Sequence, residues 1–442
     1  MKRSRRSLTA ISHKWHSRLM YLVGVQLCIW ALSGLYMVSL DIHAIHGDDR
    51  VKNPAYVDVQ SANYPLTAVA NRFPEMSGAK LVQGLEHALI QVNFRDNPYT
   101  AILLNANTGE ALPQLSAEQA EKIALNMFSG ISSVSKVTLL QEVPDYVPAR
   151  YAPVYEVAFN TWDNLHFYIH ATTGEIVTKR HSMWHIFDWM WRLHIMDYDD
   201  GENIHNLFLQ IVATLSILSI IFGGILLWSR RRFTQQSLLV SKPYYKHLLV
   251  AHKYIALVVF AQLSVWLGTG LYLSLIEKQK IPLLPLTKID WQHVIPDNVS
   301  FADLLHDKPP IIGAKLQNIF GAPYLLYTES QGYHRNFTSD KQLVDLTNGS
   351  LFNIEQKQIK AYFAFIEKPI EKITRLDEGS SDIRGEMNAT WRVDTANTSY
   401  YFDARSAEQL ASFDFKARIH DLMMRLHFMD YFSKGILIIV GT

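Results

Sequence analysis

One string of residues occurs twice in this chain at identical spacing. His16, Gln26, Trp30 and Gly34-Leu35-Tyr36 return as His252, Gln262, Trp266 and Gly270-Leu271-Tyr272, each within an apolar stretch. A second string, Arg192-Leu193-His194-Ile195-Met196-Asp197-Tyr198, returns as Arg425-Leu426-His427-Phe428-Met429-Asp430-Tyr431. The chain therefore reads as a tandem internal repeat, and its fold must offer both copies equivalent surroundings. An apolar span does not need an imidazole at one fixed place, still less twice, so the recurrence asks for chemistry. Binding of a metal ion or a haem iron is the leading explanation.

The apolar stretches set the class. Leu19 to Leu40, Ile204 to Trp228 and Leu248 to Ile276 each match the ~20 residues that cross a hydrocarbon core. A lipid bilayer is thus the first partner. The formal net charge of +1 gives no argument for nucleic acid, and none is expected. The distribution of charge says more. Lys2, Arg3, Arg5, Arg6, Lys14 and Arg18 precede the first span, and Arg230, Arg231, Arg232, Lys242, Lys246 and Lys253 lie between the second and third, with no acid in either segment. The positive-inside rule makes both cytoplasmic. The long segments 41–182 and 277–416 then lie on the opposite face. The basic start is followed by an apolar run too long for a signal peptide and without a small-residue cleavage site, so it reads as a retained anchor. Cys28, the single cysteine, lies within the first span. No disulfide framework and no covalent haem attachment is possible.

The expected order is a cytoplasmic N-terminus and first span over 1–40, an outer region over 41–182, an interfacial helix and loop over 183–202, and a second span over 203–229. A basic loop over 230–247, a third span over 248–276, a second outer region over 277–416, an interfacial helix over 417–431 and a fourth span from 432 follow. The stretch 432–442 is too short to cross, so the chain is expected to be a fragment lacking the end of that span. Leu104-Asn105-Ala106-Asn107-Thr108-Gly109-Glu110, Ile169-His170-Ala171-Thr172-Thr173-Gly174-Glu175 and Val344-Asp345-Leu346-Thr347-Asn348-Gly349 read as strand, glycine turn, strand, and Phe402 to Glu408 repeats the plan with Ala407 in the glycine place. Ser116 and Gln119 make a capping box for one helix, and Asn353 and Gln356 have the spacing for a second. Two small α+β modules are expected in each outer region. Trp184, Trp189 and Trp191 suit an interfacial helix at headgroup depth. On that helix and its copy, Asp188–Arg192 and Asp421–Arg425 are i,i+4 ion pairs worth ~0.2–0.5 kcal/mol. So small a gain does not account for the repetition of the arginines.

The paired modules, with their Asp/Asn-Ala-x-Thr-Gly-Glu hairpins, resemble PepSY domains. The histidine-led span with its Gly-Leu, the Arg-Leu-His before the next span and Gly223-Gly224-Ile225-Leu226-Leu227-Trp228 resemble the PepSY-associated transmembrane family, over nearly the whole chain. Ala407 and the missing end of the fourth span depart from the pattern. The resemblance implies a membrane α-helical bundle of four spans, the last truncated, with two periplasmic α+β PepSY-like domains. Some bacterial members are inner-membrane ferric-siderophore reductases with two b-type haems. For this chain it implies an enzyme of that kind, taking electrons from a cytoplasmic donor or a quinol and reducing a ferric siderophore or other iron chelate. No glycine-rich nucleotide motif is visible. An iron-regulated transporter or permease component, or a peptidase-regulating membrane protein without haem, are the alternatives. The first is disfavoured by spans without buried carboxylates or broken helices, and the second leaves the histidines unexplained.

A b-type haem in a helical bundle needs two axial nitrogens from facing helices, a flat apolar slot and cations for its propionates. Gly34 lies about five full helical turns beyond His16 and shares its azimuth. The simplest arrangement is two haems stacked across the membrane, His16 with His252 on the inside and His194 with His427 on the outside, with Arg192 and Arg425 beside the outer propionates. His205 is an alternative outer ligand, and His13 an alternative to His16. The plainer reading of each histidine is an unligated interfacial imidazole. Trp30, Trp266, Tyr36 and Tyr272 read as packing or belt residues, Gln26 and Gln262 as bonded to a neighbouring helix, and His185 and His247 as surface residues.

Overall fold

The structure is a computed structural model that describes all residues except Met1, Pro98, 230–242, 279–282, 286–287, 331–339, 378–379, 381, 384–387 and 430–442. The expected fourth span from Phe432, with Asp430 and Tyr431, and Arg230, Arg231, Arg232 and Lys242 lie outside the described residues. In chain order the helices are α1 (Lys2–Ser39), α2 (Ile42–Ile45), α3 (Leu66–Arg72), α4 (Ala117–Met127), α5 (Ser182–Ile195), α6 (Leu207–Ser229), α7 (Pro243–Leu275), α8 (Trp291–Val294), α9 (Phe301–Leu305), α10 (Gln356–Phe365) and α11 (Phe415–His427). The strands are β1 (Met76–Gln83), β2 (Ala88–Phe94), β3 (Ala101–Asn105), β4 (Val134–Leu140), β5 (Val154–Phe159), β6 (His166–His170), β7 (Ile176–Arg180), β8 (Gly313–Ile319), β9 (Ala322–Ser330), β10 (Asp340–Asp345), β11 (Leu351–Phe352), β12 (Ile370–Leu376), β13 (Thr390–Thr395), β14 (Thr398–Asp403) and β15 (Gln409–Asp414).

Two compact units result. The first gathers Met1–Asp41, His185–Lys280 and Lys416–Thr442. Among the described residues it holds three helices long and apolar enough to cross a membrane, at Leu8–Ser39, Leu207–Ser229 and Val250–Leu275. The shortest has 23 residues, about 35 Å at the helical rise, against a hydrocarbon core of ~30 Å. Tyr21, Leu22, Val25, Leu32 and Leu35 stand fully outward on α1. Such a surface is costly in water and matches lipid, and the helix satisfies its backbone internally. The chain is thus a multi-pass membrane protein. α1 packs on α6 and α6 on α7. α7 starts at Pro243, inside the stretch expected as loop, since proline is tolerated in the first turn of a helix.

The second unit comprises Ile42–Trp184 and Ile281–Phe415. Its sheets run β11-β10-β9-β8-β1-β2-β3, β12-β13-β14-β15 and β4-β5-β6-β7. The two long segments were expected as separate domains, whereas β1 and β8 pair antiparallel, with Lys80 opposite Lys315, and fuse their first modules into one seven-stranded sheet. The physical reason is the edge: β1 and β8 would each expose a row of unpaired backbone groups, and pairing removes both. Leu81, Ile90, Leu104, Phe301, Leu325 and Val344 from both segments share the resulting core, each worth about 1.5–3 kcal/mol on burial.

The hairpin readings hold locally. Gly109, Gly174 and Gly349 have φ of 74°, 72° and 68°, and Ala407 takes the same left-handed conformation at 54°. Ser116 and Gln119 form the capping box of α4. The second box is shifted: Glu355 and Gln358, not Asn353 and Gln356, cap α10. A start at Gln356 turns Ile359, Tyr362 and Phe363 into the core, while Ile354 is itself buried before the helix begins.

Candidate functional site

Four of the singled-out histidines come together in two pairs inside the membrane unit. The ring centroids of His16 and His252 are 6.4 Å apart, with planes inclined at 40°. Those of His194 and His427 are 6.1 Å apart, inclined at 70°. Each pair takes one histidine from each copy.

α1 presents one face to the end of α5. Trp30 Nε1 donates to the His194 carbonyl at 2.7 Å, and Gln26 Nε2 to the Leu193 carbonyl at 3.4 Å. Ser33 Oγ lies 3.0 Å from His194 Nδ1. A serine hydroxyl has one hydrogen, and this one goes to the Ile29 carbonyl at 2.7 Å, so Ser33 accepts from the imidazole. Nδ1 therefore carries a proton, and in the neutral form of the ring Nε2 keeps its lone pair. His427 is held in the same way. Thr269 Oγ1 donates to the Val265 carbonyl at 2.7 Å and lies 3.1 Å from His427 Nδ1. Glycines make the space. A Cβ on Gly34 would stand 3.4 Å from His194 Cε1, and one on Gly270 only 3.1 Å from His427 Cε1.

His16 is oriented from α6. Its Nδ1 lies 2.9 Å from the Ser219 carbonyl oxygen, which can only accept, so this ring too carries a hydrogen on Nδ1. A Cβ on Gly223 would lie 3.0 Å from His16 Cε1. Fixing one ring nitrogen by an N–H···O bond is how proteins prepare the other as a metal ligand. Ser33, Thr269 and Ser219 are not marked out by the sequence, and Gly223 stands there only as part of the Gly223–Trp228 motif, not as a neighbour of His16. A hydroxyl directly before the glycine in both copies, Ser33-Gly34 and Thr269-Gly270, was the available signal.

The spacing can be tested against a shared metal. Two metal–nitrogen bonds of about 2.0 Å, with about 1.1 Å from each nitrogen to its ring centre, separate centroids by roughly 6 Å. The centroid separations of both pairs match that value. Among the described residues there is no group of three or more histidine, cysteine or acidic side chains able to hold a metal ion. A bare ion would be under-coordinated by two imidazoles, whereas a haem brings its own four nitrogens. The residues present fit a haem better than a naked ion.

The remaining candidates are engaged elsewhere. Arg192 Nε bonds Asp188 Oδ2 at 2.8 Å and its Nη1 donates to the Asp199 carbonyl; Arg425 Nε bonds Asp421 Oδ2 at 2.7 Å. The expected i,i+4 pairs are therefore formed. His205 Nδ1 lies 2.9 Å from the Ser274 carbonyl, which also accepts from Gln210. His13, His185 and His247 are exposed.

The family model for the PepSY-associated TM region matches residues 13–442. The chain belongs to the PepSY-associated TM family. The match starts ahead of His16 and includes both histidine pairs, the glycines facing them and all three sheets of this PepSY-associated protein. No curated protein matches the chain.

Proposed function

We propose that this protein is a b-type haem protein of the bacterial inner membrane that carries electrons outward and reduces a ferric siderophore or another ferric chelate for iron uptake. The observation that carries the reading is the pairing of His16 with His252 and His194 with His427 at metal-sharing distance, with the Nδ1 protons of three of the four rings bonded away from the pair. His16, His252, His194 and His427 would be the axial ligands of two haems. Arg192 and Arg425 would meet propionates on the outer side. The basic residues before the first span and between the second and third orient the N-terminus to the cytoplasm.

Haem supplies reversible one-electron transfer. The chain's own residues do the rest. Ser33, Thr269 and the Ser219 carbonyl hold each imidazole in one tautomer and one orientation. A haem held by a histidine from each copy would suit electron transfer rather than oxygen binding. A quinol or a cytoplasmic protein donates the electrons, one for each ferric ion reduced. Fe(II) is a poorer match than Fe(III) for hard oxygen donors, so reduction loosens the chelate.

The absorbance spectrum of the purified full chain, expressed with adequate haem, tests this. A Soret band is expected, and its absence ends the proposal. His16→Ala, His252→Ala, His194→Ala and His427→Ala should each remove the signal of one haem. Full haem content in all four would refute the ligand assignment.

A further inference from the structure

Two turns of the first extramembrane segment carry large apolar side chains with nothing over them. Trp162, in the hairpin turn between β5 and β6, is 83% exposed, and Ile131, between α4 and β4, is 106% exposed. No other large apolar side chain described in the extramembrane unit is as exposed; Phe415 follows at 76%. Both turns stand at one end of the sheet β4-β5-β6-β7. Val134 pairs with Phe159 there, the Asn160 amide donates to the Ser133 carbonyl at 2.9 Å, and Asn160 Nδ2 to Ser133 Oγ at 2.7 Å.

The same end receives the chain as it leaves the membrane and as it returns. After the first span, Arg50 Nη2 bonds Asp163 Oδ2 at 2.8 Å, the Ser129 amide donates to the Arg50 carbonyl at 2.9 Å and Ser129 Oγ to that of Asp49 at 2.7 Å. Before the return, Ser182, the first residue of α5, bonds the Asp163 carbonyl through its amide at 2.7 Å and its hydroxyl at 3.0 Å. His181 Nε2 lies 3.1 and 3.0 Å from the carbonyls of Ala44 and Ile45. Trp162 is thus the neighbour of a residue tied to both crossings. The step from Ser39, where the first span ends, to Ile42 covers at most about 10 Å of chain.

We propose that Trp162 and Ile131 insert into the headgroup layer and anchor the first extramembrane segment to the bilayer surface. Tryptophan, with an apolar ring and one N–H, is suited to that depth. The choice of lipid over a protein partner rests on continuity: the tethered chain runs directly into a membrane span on one side and a tryptophan-bearing helix on the other. Of the residues flanking the exposed side chains, Thr161, Ser132 and Ser133 are uncharged, and Asp163 is buried and paired with Arg50, so it presents no open charge to a protein. The corresponding turns of the second segment carry Ala396-Asn397 and Glu367-Lys368 in place of Trp162 and Ile131. The proposal does not depend on the haem reading.

The test uses the full chain with Cys28→Ser, reconstituted in phosphatidylethanolamine–phosphatidylglycerol nanodiscs. A nitroxide is placed by Trp162→Cys, Ile131→Cys or, at the far end of β4, Glu142→Cys. At 162 and 131 the ratio of collisions with oxygen to collisions with a water-soluble nickel chelate should be several-fold higher than at 142. Equal ratios at all three positions overturn the proposal, as does shielding of 162 and 131 from both reagents, which would mean a protein cover. Should a cysteine variant fail to fold, Trp162→Phe carries the test. The fraction of tryptophan emission quenched by brominated lipid falls if the lost ring was among lipids and rises if it was in water.

Discussion

In the first half of the chain Ser33 and Gly34 flank His194; in the second Thr269 and Gly270 flank His427, with hydroxyl-to-Nδ1 distances of 3.0 and 3.1 Å. Each histidine also lies in the last turn of a helix bearing an Asp–Arg pair just before it, at 2.8 and 2.7 Å. The halves diverge away from these contacts. α5 carries Trp184, Trp189 and Trp191 where α11 has no tryptophan. Gly174 in one hairpin is Ala407 in the other. Glu175, exposed, meets Lys80 alone, whereas Glu408, largely covered, meets Lys315 and Lys341. What the halves share is what orients an imidazole and clears room beside it. What they change is how each half packs its own scaffold.

The largest expected effect strikes the shared part. Gly270→Leu must displace His427, because even a Cβ would stand 3.1 Å from the ring. It should abolish the haem signal of the His194–His427 pair and leave that of His16–His252 in place, seen as about half the Soret absorbance per chain. Gly34→Leu should do the same, somewhat less completely, given its 3.4 Å clearance. Intact haem content in both variants would break the equivalence of the halves. A smaller effect is expected from Ser33→Ala or Thr269→Val, which takes the acceptor from one Nδ1–H. Loss of such a support typically costs 10–100-fold in affinity, so haem-release titration should show a loss of about that size, alike in both variants.

The histidine pairs were legible because the repeat places equivalent residues on equivalent helices, and a helix face follows from counting turns. The hydroxyls were harder to see, since Ser33 and Thr269 one turn from a tryptophan resemble any small residues in a span. Trp30 was read as packing, yet its N–H also ties α1 to the end of α5. The fusion of the two extramembrane segments through β1 and β8 was not readable from local pattern. Alternation marks a strand but does not name its partner, and these strands are far apart in sequence. The shift of the α10 cap came from burial of Ile359 and Phe363, which outweighs a favourable cap two residues earlier.

The divergent scaffold gives the next effect. Burial alone would raise the Glu408 carboxyl, but Lys315 and Lys341 outweigh it and hold the group below its ordinary value. Glu408→Gln leaves two lysines without their carboxylate and should cost about 1–3 kcal/mol. Glu175→Gln, at a pair whose glutamate is 51% exposed, should cost less than about 1 kcal/mol. Thermal unfolding of the two variants of the full chain checks the difference, and equal costs would erase it. The pH dependence follows from the depressed carboxyl. Its contribution is complete above the unfolded value near 4.5 and is lost as pH falls below that and through the folded value. The parent should therefore lose stability on acidification over that window faster than Glu408→Gln does.

The smallest effect is expected at Ala407, where two opposing contributions meet. The left-handed conformation at φ 54° costs an alanine roughly 1–2 kcal/mol, which glycine would recover. Yet the Ala407 methyl is buried in the cluster with Ile359, Phe363 and Phe402. Removing it forfeits about 0.8 kcal/mol of burial, and glycine adds roughly 0.5–1 kcal/mol of unfolded-chain entropy to be overcome. Ala407→Gly should accordingly shift stability by less than about 1 kcal/mol in either direction. A clear gain beyond that would mean the methyl contributes no packing, and the second hairpin would then be a strained copy of the first. A shift near zero means that the side chain offsets its own backbone strain, which is how a position built for glycine can hold alanine in one half of the chain only.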